Sequence, residues 1–110
     1  MYKLYLYPTA MFVHMQTQVF HHMKQAAQQA LNGKRLQQAL ELYTEALQIA
    51  QTLPHLFPEI PIILTNRSLV YYRQGEFQLA LADANHCVMQ NPLWIKVKYM
   101  ICGFKLDWAN

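Results

Sequence analysis

The most constraining stretch of this chain is LTNRSLVYYRQGEFQLALADANHCVMQNP, Leu64 to Pro92, in which two helical periodicities flank a single glycine turn. Leu64, Ser68 and Tyr71 recur every three or four positions and so share one helix face. Gln74-Gly75 interrupts that run, because Gly75 can take the left-handed conformation that ends a helix without a Cβ clash. Phe77, Ala80, Leu81, Ala84 and Val88 begin a second run, and Asn91-Pro92 closes it. The stretch therefore reads as one helical hairpin. Small residues at Ala80, Ala84 and Cys87, opposite Ser68, predict a close helix crossing with Tyr71 and Phe77 filling the space at the turn.

A second copy lies upstream. Ala27, Leu31, Leu36, Ala39, Tyr43 and Ala46 repeat the same arrangement, and Gln37-Gln38-Ala39-Leu40 matches Gln78-Leu79-Ala80-Leu81 at an offset of 41 residues. Between the copies stand Pro54, Pro58 and Pro61. Proline cannot continue a helix interior but suits a first turn, so one helix should end near Thr52 or Leu53 and the next begin near Pro61. Further upstream, Pro8-Thr9 offers a helix start for a segment reaching Asn32, since Thr can cap the first turn. Met11, Val13, Met15, Val19, Phe20 and Met23 make its first half apolar without a clear period. Met1 to Tyr7 reads as a strand-like arm or a disordered start.

With 110 residues, 54% of them hydrophobic, the chain has room for one small domain with a core. Ala, Leu and Gln dominate its middle and β-branched residues are sparse there, so the expected class is all-α. The tail from Leu93 to Asn110 reads as the first helix of a third hairpin, with Ile95, Tyr99 and Cys102 on one side. No second helix follows it, which predicts marginal stability and self-association through exposed Phe104 or Trp108.

Leu64, Ser68, Tyr71, Ala80, Ala84, Cys87 and Pro92 together resemble the tetratricopeptide repeat, with Leu64 in place of its usual Trp and Ser68 in place of its first Gly. That family's period is about 34 residues, so the longer offset leaves extra residues near LPHLFPE. The expected division is an N-terminal extension at 1–19 and a repeat domain at 20–110. Within the latter, repeat one covers 20–53, an insert 54–60, repeat two 61–94 and a partial third repeat 95–110. The resemblance implies antiparallel hairpins stacked as a short right-handed superhelix of about two and a half repeats, with a concave groove suited to an extended peptide. It implies a non-catalytic, cytoplasmic interaction module. The alternative is a fragment or terminal piece of a larger scaffold whose last helix mediates assembly.

NRSLVYYRQGEFQLALADANHC and NPLWIKVKYM are similar, more narrowly, to the second and third repeats of heat-shock co-chaperone domains, which bind the acidic C-terminal tails of chaperones. Those domains grip the tail with a Lys and an Asn one turn apart in the first helix, an Asn in the third, and a Lys and an Arg in the fifth. The matching positions hold Lys24, Gln28, Asn66, Lys96 and Met100. Ammonium groups supply attraction and amides fix orientation by donating to carboxylate oxygens. Gln28 keeps an amide on a longer stem, whereas Met100 removes a planar cation. Losing that charged hydrogen bond costs about 1.5–3 kcal/mol, or roughly ten- to a hundredfold in affinity.

Other chemistries find little support. The net charge of +3 is spread along the chain, with no basic stripe for nucleic acid. Met1 to Tyr7 is too short to cross a bilayer, and no membrane anchor is expected. His14 and His21 are seven residues apart, beyond the one-turn spacing of helical zinc ligands, and Cys87 and Cys102 lack a partner motif, so no metal is expected. His86 and Cys87 are neighbours on a helix and point about 100° apart, which argues against a catalytic pair. Without a phosphate loop or a paired nucleophile and base, neither a cofactor nor catalysis is expected. Arg67 and Asp83, one on each helix of the central hairpin, should pair, because a charge brought near a core needs a partner.

Overall fold

The computed structural model describes residues 9–90. These form four α-helices: α1 (Thr9–Asn32), α2 (Leu36–Thr52), α3 (Ile60–Arg73) and α4 (Phe77–Gln90), with a 3₁₀ helix, Pro54–Glu59, between α2 and α3. The fold is all-α, without a strand among the described residues. α1 packs on α2 and α3 on α4 as two antiparallel hairpins, and α2 packs on α3 to join them.

Small side chains set the hairpin spacing. Ala27 and Ala30 on α1 and Ala39, Ala46 and Ala50 on α2 are fully buried, as are Ala80, Ala84 and Cys87 on α4. Ser68 faces them as expected, and its hydroxyl donates to the Ala80 carbonyl at 2.7 Å. Larger side chains, Phe20, Tyr43, Ile63, Leu64 and Val70, fill the volume these leave and are also fully buried. At the turn the ring that meets Phe77 is Tyr72, at 5.5 Å between centroids. Tyr71, expected there from its spacing, instead lies under the guanidinium of Arg67.

Both hairpins turn by the same backbone motif. At the end of α3, Glu76 N–H donates to the Tyr71 carbonyl and Gly75 N–H to that of Tyr72, with Gly75 at φ +80°. At the end of α1, Arg35 N–H donates to Ala30 and Lys34 N–H to Leu31, with Lys34 at φ +63°. Each pairing satisfies two orphan carbonyls of a helix C-terminus and places one residue in the left-handed region. Lys34 adopts there a conformation that costs a residue with a Cβ about 1–2 kcal/mol. Lys34→Gly should therefore raise stability by about 0.5–1 kcal/mol, read as a higher urea midpoint at unchanged slope.

The proline-rich connection is ordered structure. α2 ends at Thr52 and α3 begins at Ile60 with Pro61 in its first turn, as the proline positions predict. In between, Leu53 and Leu56 are buried and the 3₁₀ helix lies against α2 and α3. Its His55 Nε2 sits 2.8 Å from the Thr17 hydroxyl, which itself donates to the Val13 carbonyl. α1 thus runs unbroken across residue 20, and its first half is held to the connection through Thr17.

Candidate functional site

Lys24 and Gln28 stand one turn apart on α1, and Asn66 stands midway along α3. A hydroxyl from a third helix joins the two amides. Tyr43 of α2 is fully buried, its hydroxyl donates to Gln28 Oε1 at 3.3 Å, and the Asn66 amide donates to the same phenolic oxygen. Burial pushes the Tyr43 hydroxyl above the ordinary phenol range, against a smaller downward pull from Asn66, so it stays protonated and keeps donating at neutral pH. Gln28 also donates through Nε2 to Asn32 Oδ1 at 3.1 Å. Each amide NH₂ carries two hydrogens, and one bond within the protein orients the group while leaving chemistry for a carboxylate.

Lys24 is held differently. Its Nζ lies 3.1 Å from both carboxylate oxygens of Glu59, the last residue of the 3₁₀ helix. The two side chains are 31% and 22% exposed, so the pair is partly desolvated but still reached by solvent. Three of the four expected site residues therefore belong to one polar band, Glu59 to Lys24 and then, a turn along α1, Gln28 to Tyr43 to Asn66. Lys96 and the Met100 substitution lie outside the described residues, as do Cys102 and the tail expected to self-associate.

Two members of this band escaped the sequence reading. Tyr43 registered only as a packing residue, although a buried phenol must find a hydrogen-bond partner. Glu59 falls in the segment outside the repeat register, where periodicity carries no information.

The remaining reactive groups are engaged elsewhere. Cys87 is buried, its thiol donating to the Pro61 carbonyl at 3.4 Å and meeting the Thr65 hydroxyl, and burial pushes it up from the usual thiol range. His86 is exposed and meets Gln90, so the adjacent pair diverges as helical geometry requires. Among the described residues, no three His, Cys, Asp or Glu side chains are grouped to hold a metal ion. No helix among them is long and apolar enough to cross a membrane.

Two antiparallel hairpins joined through the second helix of one and the first of the next define a helical-repeat scaffold. No protein-family model matches the chain, but individual relatives do. It is 37% identical to the heat shock protein STI1 of Saccharomyces cerevisiae over 73 residues, which is 66% of this chain and 11% of that protein. It is 32% identical to the heat-shock protein cognate co-chaperone sgt12 of Aspergillus fumigatus over 88 residues, 80% of this chain and 24% of that one. Among solved structures, the Sgt2 TPR domain from Aspergillus fumigatus superposes with a TM-score of 0.71 at 29% identity, covering 82% of this chain and 55% of that one. The chain thus spans about a tenth of the first of these relatives and about a quarter of the second. It belongs to the tetratricopeptide-repeat family and is a protein-interaction module of the kind found in heat-shock co-chaperones.

Proposed function

We propose that this module works in the cytoplasm as a non-catalytic adaptor that binds an acidic C-terminal peptide, the tail of a heat-shock chaperone. Lys24 attracts the tail, while Gln28 and Asn66 orient its carboxylate by donating hydrogen bonds. Lys96 adds a second cation. The observation that carries this reading is the Tyr43 hydroxyl, which donates to Gln28 and is drawn on by Asn66, so that amides from different helices meet one buried phenol before any ligand arrives. The co-chaperone relatives support the coarser part of this reading, a module that binds other proteins.

The test is fluorescence anisotropy with a labelled acidic peptide bearing a free C-terminal carboxylate and with its amidated twin. The free peptide should bind at least about tenfold more tightly than the amidated one, the worth of one charged hydrogen bond. Asn66→Ala and Lys24→Ala should each remove most of that difference. Tyr43→Phe keeps the ring and its packing, so it should weaken the free peptide about threefold or more and leave the amidated peptide unchanged. Equal binding of both peptides to the unsubstituted protein would overturn the proposal.

A further inference from the structure

Lys24 is already bound to a carboxylate. Glu59 supplies both oxygens to its ammonium at 3.1 Å, the contact spans 35 residues of sequence, and both side chains are more than two-thirds buried. An incoming carboxylate must take this place, because a Lys ammonium held by two oxygens on one side keeps only part of its donor capacity for a second anion, and the two anions repel. We propose that Glu59 is an internal competitor for the peptide carboxylate and sets the affinity and charge requirement of the site. The proposal rests on the peptide-binding reading above and adds to it a specificity-determining residue.

The position of Glu59 suits this role. It closes the 3₁₀ helix and directly precedes Ile60, the first residue of α3, so the segment that separates the two hairpins is also what presents the carboxylate to α1. Leu53, Leu56 and Ile60 are buried on either side of it and fix its backbone. Glu59 therefore competes at high effective concentration without closing the site permanently, since a partly exposed ion pair is weak enough to be exchanged. Weakly charged peptides fail to displace it, and peptides with several carboxylates succeed.

Glu59→Gln keeps the shape and one acceptor while removing the charge. Measured by anisotropy with the free-carboxylate acidic peptide, it should bind about three- to tenfold more tightly than the unsubstituted protein. Glu59→Ala should gain similarly, so a folding defect in either variant leaves the other to decide. The gain must vanish in a Lys24→Ala background. It must also be absent in Glu76→Gln, which removes an equal charge beyond the far end of α3. If the unsubstituted protein separates free from amidated peptide and both Glu59 variants bind no more tightly, Glu59 is not a competitor and the peptide reading stands. A gain of equal size in Glu76→Gln would likewise reduce the effect to net charge and overturn the assignment. If no protein, the Glu59 variants included, separates the two peptides, the peptide-binding reading and this inference fail together.

Discussion

Asp83→Ala should destabilise the fold by about 3–5 kcal/mol, measured by urea denaturation, a large share of what a domain of this size possesses. Asp83 receives Arg67 Nε at 2.7 Å and a second guanidinium nitrogen at 2.8 Å, with the two side chains only 16% and 10% exposed. The same guanidinium donates to the Thr44 hydroxyl at 3.3 Å, so one cation ties α2, α3 and α4 together. Asp83 raises the Arg67 pKa, first through the hydrogen bonds, with burial opposing. Arg67 cannot discharge when its partner is lost, and the deletion leaves a buried, uncompensated cation. Arg67→Ala should also destabilise, and the double substitution should cost clearly less than the sum of the two singles. Strictly additive losses would show that the pairing has no energetic weight.

Phe20→Ala should cost a similar amount, about 3–5 kcal/mol, whereas Phe12→Ala on the same helix should stay within about 0.5 kcal/mol. Phe20 is fully buried and is the largest apolar side chain that α1 contributes to the core, while Phe12 is 55% exposed. Thermal unfolding of the two variants beside the unsubstituted protein measures the contrast directly. A loss for Phe12→Ala as large as for Phe20→Ala would mean that the first half of α1 packs more extensively than the side-chain exposures of Met11, Phe12 and Met15 allow.

The Arg67–Asp83 pair and the contrast between Phe20 and Phe12 depend on different kinds of information in the chain. Gly75, the alternating small and large residues of Leu64 to Cys87, and the 41-residue self-match define the hairpins, because helix periodicity and turn chemistry are local properties written in consecutive residues. The pairing of Arg67 with Asp83 is legible for a related reason. Two charges on the inward faces of consecutive helices have few partners to choose from, and the structure joins them. In the N-terminal half of α1, by contrast, Phe12 and Phe20 are equivalent letters in an apolar run of no clear period, and which of them is buried depends on where the shorter α2 lies against α1.

The candidate site divides the same way. Lys24, Gln28 and Asn66 stand out through their resemblance to a known motif, yet nothing local indicates that Tyr43 links the two amides or that Glu59 holds the lysine. Both contacts cross between helices, one through a phenol on α2 and one through a carboxylate at the end of an inserted 3₁₀ helix. The helices, their turns and the family they resemble are all readable from consecutive residues. Which side of α1 is covered, what orients the amides and which anion occupies Lys24 follow from packing, because they depend on distances between segments that periodicity does not encode.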